Sequence, residues 1–451
     1  MSPATVPAAA SQTRVLGVLM CTALVVGNTI GIGIFMMPAA LAPYGVNAIP
    51  AWLITAGGCT CVAWVFAGLA RSFPDDDGPY AYASRAFGGG VSFVMLWSYW
   101  VATWVTNAAI AIGVVGYLSI FFPALGLNRW FAAVTALSLL WLFVLINLRG
   151  IRLAGWVQLL STALKLLPQV GIVALGAWAL LAPHATQLVH VPSTPVSLSA
   201  VIGASTIALF AMLGVECAAM PAGRVRDPGR TIPRATFAGT LIVALIYICI
   251  SLVPMLMIPQ TELAASNAPF ADLFVRFLGS TSGKLLAAFV IVSGLGALNG
   301  WTLVLGEITV SFARHGAFPA PLGKVNSDGA PTRAFLLTGT AASVMLLMNY
   351  DESMAAGFTF LSVVVTAANL PIYFGCALAV LVLWRRGEIP RPGARESRWF
   401  AAALIATLYC VWVFIGIGGK SLLWALALSA AGVPVYWWYA HVRRGAIAAR
   451  A

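Results

Sequence analysis

Apolar stretches of transmembrane length recur along the whole chain, separated by short polar segments that carry most of its charged residues. A helix of roughly 20 apolar residues spans the hydrocarbon core of a bilayer. The pattern therefore predicts an all-α integral membrane protein with about 12 transmembrane helices. The predicted spans are 15–40, 46–70, 91–121, 130–148, 154–181, 198–222, 232–257, 283–312, 334–349, 354–384, 399–418 and 421–440.

Two of these spans contain residues that interrupt a helix. Span 1 includes the segment GNTIGIGIF at Gly27–Phe35, and span 6 includes IALFAMLGVECAAMPAG at Ile207–Gly223. Glycine and proline are poor helix formers, and a broken helix at membrane depth is tolerated where its backbone lines a cavity. The segments predict two broken helices; the alternative is that the glycines serve close packing between intact helices.

The two interrupted spans lie five spans apart, and this offset predicts an internal repeat. An odd number of spans turns the second unit upside down in the membrane, as in transporters whose binding site lies at the midplane between inverted repeats. The predicted units are a cytoplasmic tail at 1–14, a first repeat at 15–181, a second repeat at 198–384, a helix pair at 399–440 and a cytoplasmic tail at 441–451.

Composition supports the membrane assignment. Hydrophobic residues make up 61% of the chain and charged residues 8%, against about 25% charged residues in a typical soluble domain. The first apolar stretch is too long for a cleavable signal, and no basic segment precedes it. The seven cysteines lie in apolar stretches without metal-site spacing, so we expect neither a metal nor a cofactor.

The distribution of the basic residues behind the net charge of +12 indicates how the chain is oriented in the membrane. With the N-terminus placed in the cytoplasm, 20 of the 25 lysines and arginines fall in cytoplasmic segments and Lys165 lies within a span. The other four, on the outer side of the membrane, are Arg129, Arg276, Lys284 and Lys420. This bias predicts that both termini are cytoplasmic. It also argues against nucleic acid as a partner and favours anionic membrane lipids.

Three charged residues lie at membrane depth, away from the ends of the predicted spans, where a charge costs at least ~2.5 kcal/mol. Glu216 lies at the span 6 break, and a glutamate removed from water takes up a proton more readily, so it is a candidate for proton coupling. Lys165 in span 5 is a candidate for a fixed or titrating charge in the core. The alternatives are a structural carboxylate for Glu216 and a side chain that reaches the interface for Lys165. Glu307 is expected to be a packing or gate partner.

Other classes of membrane protein fit less well. An enzyme needs a buried catalytic set, but the four histidines lie in predicted loops, so we expect no catalytic residues. A channel needs a polar stripe or a charged ring, which the spans lack. Trp301 follows Asn299-Gly300 within span 8 and can hold a cationic group on its ring. Phe210 precedes the span 6 break and is a candidate gate.

Several segments carry a family resemblance. They are GNTIGIGIF, GPYAYASRAFG, NAAIAIGVVGYLSIFFP from Asn107, LGVE from Leu213, RVRDPGRTIP and GALNGWTL from Gly296. Over nearly its whole length the chain resembles the amino acid–polyamine–organocation (APC) transporters. Within them it resembles the basic amino acid/polyamine antiporters, most of all those that exchange arginine for agmatine. The resemblance implies a LeuT-type 5+5 inverted repeat with broken helices 1 and 6.

The resemblance also implies site residues. The substrate's carboxylate and amine would rest on the broken backbone of helices 1 and 6, and its guanidinium end would meet helices 3, 8 and 10. The implied substrate-binding positions are Asn28, Gly31, Ile32, Gly33, Ala102, Thr103, Asn107, Phe210, Met212, Gly214, Trp301 and Val364. Tyr99 matches a gating tyrosine, and Glu216 matches a proton-sensing glutamate.

The chain departs from the antiporter pattern at four positions. Ile32 replaces a serine that binds the carboxylate, Phe210 a gating tryptophan, and Val364 a serine near the guanidinium. Lys165 lies in VQLLSTALKLLPQVG, which is similar to a helix 5 motif of proton-coupled symporters and heteromeric-type exchangers. The first three departures make the pocket more apolar than arginine requires, and the arginine/agmatine antiporters lack the lysine.

We therefore expect a secondary active transporter that exchanges cationic amino acids or their decarboxylated amines, such as arginine and agmatine, by alternating access with proton sensitivity. The alternative is a proton-coupled symporter or exchanger of neutral amino acids. The resemblance implies a bacterial inner-membrane location and a homodimer.

Overall fold

The structure is a computed structural model that describes residues 17–73, 79–149, 164–181, 194–215, 225–314, 317–327, 329–349, 352–389 and 394–437. The regular secondary structure of these ranges is helical. The helices are α1 (Val18–Thr29), α2 (Ile32–Leu41), α3 (Ala48–Ser72), α4 (Pro79–Phe87), α5 (Gly89–Leu118), α6 (Ala124–Leu127), α7 (Arg129–Leu148), α8 (Leu166–Leu181), α9 (Leu198–Ala211), α10 (Pro228–Met257), α11 (Gln260–Ala265), α12 (Pro269–Leu278), α13 (Ser280–Arg314), α14 (Thr332–Leu347), α15 (Met354–Arg385), α16 (Ala394–Ile415) and α17 (Gly419–Ala430).

Helix length and hydropathy confirm the predicted membrane class. Within the described ranges, seven helical segments are long and apolar enough to cross a membrane. They are Ile32–Ser72, Gly89–Leu118, Arg129–Leu148, Arg230–Met257, Ser280–Ala313, Met354–Arg385 and Ser397–Ile415. Shorter apolar helices occur at Val18–Gly27, Leu166–Leu181, Leu198–Ala211 and Thr332–Leu347. Two of these helices, α1 and α9, are short because they end at the interruptions of spans 1 and 6.

Large apolar side chains cover the outside of the helix assembly. On α10, Leu241 is 53% exposed and Leu245 65% exposed, and α7 presents Leu142 and Leu145 in the same way. Such a surface is unfavourable in water and favourable against lipid tails. The chain is therefore a multi-pass membrane protein.

Helices five spans apart pack against each other. The contacts join α2 with α9, α3 with α10, α5 with α13 and α7 with α14. Contact between equivalent helices is the arrangement expected near the axis that relates two inverted repeats. The unit boundaries themselves stay a prediction, and the predicted tails at 1–14 and 441–451 lie outside the described residues.

Candidate functional site

Span 1 is broken where the sequence predicts. Helix α1 ends at Thr29, Ile30 and Gly31 have extended backbone, and α2 begins at Ile32. Gly31 allows a close approach to α13, since a methyl group added there would lie 3.1 Å from Cβ of Ala297. The break therefore sits tightly against another membrane helix.

Two buried polar side chains bind the carbonyl end of α1. The ammonium group of Lys165 donates a hydrogen bond of 2.8 Å to the carbonyl oxygen of Gly27, and the hydroxyl of Tyr247 donates one of 2.8 Å to that of Thr29. The last carbonyls of a helix have no intrahelical donor, and leaving them unpaired in an apolar interior is costly. Lys165 is 2% exposed, so it does not reach the interface. Asn28 belongs to α1, but its side chain lies outside the described part.

The start of α2 has the opposite polarity. Gly31 at its N-cap provides no side-chain cap. The first N–H groups of a helix have no intrahelical acceptor, and the helix dipole adds partial positive charge there. This end is suited to a carboxylate.

Span 6 is also interrupted. Helix α9 ends at Ala211, three residues before Gly214, and a turn follows. Gly214 has a φ of 105°, a backbone conformation that glycine adopts without steric cost. The carbonyl end of α9 carries partial negative charge and suits an ammonium group. Glu216 and the rest of the predicted span lie outside the described residues.

A small cavity of about 30 Å³ lies where the breaks meet. Its lining residues are Thr29, Gly31, Ile32, Gly33, Thr106, Ile110, Phe210, Ala211, Leu213, Ala297 and Trp301. The volume has room for about one or two water molecules. The cavity is therefore too small for an amino acid in this conformation, and the helices must separate before one can bind.

The cavity brings together part of the predicted substrate site. Gly31, Ile32, Gly33, Phe210 and Trp301 line it. The other predicted positions with a described side chain do not line it, although they are buried nearby: Ala102, Thr103, Asn107, Met212 and Val364. Gly214 lies in the turn after α9, and the gating candidate Tyr99 is buried on α5 away from the cavity wall.

Phe210 forms one wall of the cavity. A methyl group added at Gly33 would lie 3.1 Å from Cε1 of Phe210, so the ring covers the start of α2. The ring also packs edge to face on Phe358 of α15, with centroids 5.5 Å apart. Phe210 of α9 thus contacts both α2 and α15.

Sequence reasoning missed Thr106 and Ile110 of α5, which line the cavity, and Tyr247 of α10, which binds the end of α1. For Tyr247 the available signal was its place in the middle of an apolar span, because a buried hydroxyl needs a hydrogen-bond partner. The third predicted intramembrane charge, Glu307, is exposed on α13. Within the described ranges there is no group of three or more His, Cys, Asp or Glu residues that could hold a metal ion.

Comparisons with known proteins identify the family of the chain. A family model described as amino acid permease matches residues 16–440. The cadaverine/lysine antiporter of Escherichia coli (strain K12) is 32% identical over 426 residues, which cover 91% of each chain. The putrescine transporter PotE of Haemophilus influenzae is 29% identical over 94% of this chain and 97% of its own, and that of Escherichia coli (strain K12) is 28% identical over 94% and 96%. The chain belongs to the amino acid permease family of the APC superfamily.

Proposed function

We propose that the protein exchanges a basic α-amino acid for a decarboxylated amine by alternating access. The observation that carries the proposal is the meeting of two interrupted helices at one small cavity, with helix ends of opposite polarity on its walls. A zwitterion satisfies both ends: its carboxylate binds the N–H groups of α2, and its ammonium group binds the carbonyls that end α9.

Two further groups support a cationic side chain in the substrate. The half-buried Trp301 lines the cavity and offers an aromatic face to a cation. On α5, the carbonyl oxygen Oδ1 of the Asn107 side chain is buried without a hydrogen-bond partner among the described residues. Asn107 does not line the cavity in this conformation, and once the helices separate an unpaired acceptor of this kind favours a ligand that carries N–H donors.

The substrate pair is proposed from the relatives. The E. coli relative is a cadaverine/lysine antiporter. We therefore propose lysine and cadaverine as the preferred substrates, ahead of the arginine and agmatine predicted from sequence. Both pairs consist of an α-amino acid and the same molecule without its carboxylate. The exchange therefore requires a site that accepts the ammonium ends of both partners and the carboxylate of one.

We also propose that Lys165 and Glu216 make transport sensitive to protons. Lys165 is buried and binds the end of α1, so loss of its proton would remove the charge that holds this end in place. From the distribution of basic residues we propose that both termini are cytoplasmic, and from the bacterial relatives that the chain lies in a bacterial inner membrane.

One observation favours a second candidate, a proton-coupled symporter or exchanger of neutral amino acids. Apart from the helix ends, most of the cavity wall is apolar, including Ile32, Ile110 and Leu213. An apolar wall of this kind holds an aliphatic side chain without a partner for a distal charge.

Counterflow in proteoliposomes tests the proposal and separates the candidates. Vesicles loaded with cadaverine, agmatine or leucine, and empty vesicles, receive labelled lysine, arginine or leucine outside, with and without a pH gradient. The proposal predicts rapid uptake of labelled lysine or arginine into amine-loaded vesicles and little uptake into empty ones. Leucine uptake into empty vesicles driven by the pH gradient would establish the second candidate instead.

A further inference from the structure

A second and larger cavity lies outside the broken-helix site. Its volume is about 320 Å³, within the range of small-ligand pockets, against about 30 Å³ for the central cavity. It lies between the C-terminal half of α5, the first turns of α7, the end of α14 and the start of α15. In the proposed topology these helix ends face the outside of the cell. We refer to it as the outer cavity.

The outer cavity carries opposite charges. Arg129 begins α7 and Glu352 precedes α15, and both side chains line the cavity. Arg129 has no ion pair with any described residue, and Glu352 has only a long contact of 3.7 Å with Lys420. Because the side chains of Glu352 and Lys420 are 48% and 69% exposed, this pair is weak and can exchange partners. A carboxylate near Arg129 and an ammonium group near Glu352 would both be stabilised.

Most of the other residues that line the outer cavity are apolar, and the remaining ones include Asn267, Asn349 and Ser353. Ala132, Ala133 and Ala136 form a smooth wall along α7. Asn349 is 7% exposed, and its amide nitrogen donates a hydrogen bond of 3.1 Å to the carbonyl oxygen of Met345. Its carbonyl oxygen offers a ligand an acceptor, which suits a distal ammonium group at the end of an aliphatic chain.

We propose that the outer cavity is a second substrate site, which holds a basic α-amino acid by its carboxylate at Arg129 and its α-ammonium group at Glu352 and rejects the decarboxylated amine. The rejection follows from charge, because a diamine brings a cation, and no carboxylate, to the guanidinium of Arg129. The proposal rests on the exchange function above, since it explains how the external face distinguishes the two exchange partners.

Neighbouring residues of α5 and α15 connect the two sites. Ile112 and Gly357 line the outer cavity. The residue after Ile112 is Gly113, where an added methyl group would lie 2.9 Å from Cγ1 of Ile32, which lines the central cavity. The residue after Gly357 is Phe358, which packs on Phe210. An amino acid in the outer cavity therefore lies one residue layer from the central site and its aromatic wall.

Equilibrium binding of labelled lysine to the purified full chain in lipid nanodiscs tests the proposal. We expect two lysines per chain for the unmodified protein, of which excess cadaverine displaces one. Arg129→Gln and Glu352→Gln are each expected to weaken the cadaverine-resistant site by about tenfold or more while leaving the other site unchanged. Lys420→Gln is expected to strengthen that site, because it releases Glu352.

Arg276→Gln is the matched control. Arg276 is an arginine of the same predicted face that pairs with Glu262 at 2.9 Å and does not line the cavity, so its replacement should leave both sites intact. A single lysine per chain, fully displaced by cadaverine, would overturn the outer site and leave the exchange function standing. Two sites that persist unchanged in Arg129→Gln and Glu352→Gln would also overturn it. Failure of the exchange function would appear separately, as loss of counterflow in the unmodified protein.

Discussion

The ammonium group of Lys165 lies 2.8 Å from the carbonyl oxygen of Gly27, the point at which the first membrane helix is about to end. The charge is buried, and it belongs to a different predicted span from the helix end that it binds. A cation at a helix C-terminus is stabilised by the helix dipole, and the helix end is in turn held by the cation. The contact therefore couples the state of one side chain to the position of the broken helix.

Removal of this charge is expected to disable transport. Lys165→Met keeps the length of the side chain and loses the donor, so the carbonyl oxygen of Gly27 is left unpaired in the core. A hydrogen bond to a charged group contributes about 1.5–3 kcal/mol, and we expect exchange to fall by about tenfold or more. Uptake into amine-loaded proteoliposomes measures the effect. Exchange by Lys165→Met at the normal rate and with the normal pH profile would show that the charge has no role.

Tyr247 binds the same helix end without a charge. Tyr247→Phe removes only the hydroxyl that donates to the carbonyl oxygen of Thr29. The unpaired carbonyl is expected to cost about 1–3 kcal/mol and to lower the thermal midpoint of the purified protein. Because this hydroxyl does not titrate near neutral pH, the pH profile of transport should keep its shape, in contrast to Lys165→Met. A changed pH profile in Tyr247→Phe would contradict the assignment of the proton response to Lys165 and Glu216.

The start of α2 offers a steric test. Gly33→Ala places a methyl group 3.1 Å from Cε1 of Phe210, in space that the substrate carboxylate needs, and we expect substrate affinity to fall by about tenfold or more. Gly57→Ala is the control, since it lies in α3 with no atom within 4 Å of the added methyl group. Binding and thermal unfolding are measured for both variants. Equal lysine affinities in the two variants would exclude the start of α2 from the binding site.

Trp301 tests how the cationic part of the substrate is recognised. Trp301→Leu keeps an apolar wall and removes the aromatic face, which is worth up to about 2 kcal/mol to a desolvated cation. Affinity for cadaverine and lysine should fall by about tenfold, whereas Trp301→Phe should retain most of it. Competition binding measures both variants, with leucine as the neutral comparison. Equal losses for leucine and cadaverine would point to packing and favour the neutral amino acid candidate.

Asp272 in α12, outside the predicted spans, predicts a pH dependence of stability. Burial raises the pKa of its carboxyl, the hydroxyl of Ser266 lowers it in part, and the charge of Glu262 raises it further. The folded protein thus binds this proton more tightly than the unfolded chain does. The stability from this group is complete below the unfolded pKa and is lost as pH rises through the folded pKa.

Thermal unfolding between about pH 4 and pH 7 checks this sign. Asp272→Asn is expected to remove the part of the decline that belongs to this group. Ser266→Ala removes a donor to the carboxylate and is expected to move the decline to higher pH. A slope that stays the same in Asp272→Asn would assign the decline to other groups.

The helices and the break in span 1 could be predicted from the sequence, because hydrophobic runs and Gly31 determine the backbone conformation of their own segments. Lys165 was a candidate charge in the core, with a side chain that reaches the interface as the alternative, but Gly27 could not be predicted as its partner. Contacts between distant helices depend on rotation about each helix axis. This is why Thr106 and Ile110 of α5 line the central cavity, whereas the expected Ala102, Thr103 and Asn107 do not.

The outer cavity could not be predicted from the sequence for a similar reason. Arg129 and Glu352 lie far apart in the chain, and the sequence identified Arg129 only as a basic residue outside the membrane. Their meeting depends on how the start of α7 packs beside the start of α15.

An experimental structure of the protein with lysine bound tests the central claim most directly. The account predicts ligand density between α2 and the end of α9, with the carboxylate within about 2.7–3.2 Å of backbone N–H groups at Ile32 and Gly33. The α-ammonium group should contact the carbonyls that end α9. Lysine density that avoids both helix ends, or span 1 running as one continuous helix through Gly31, would contradict the account.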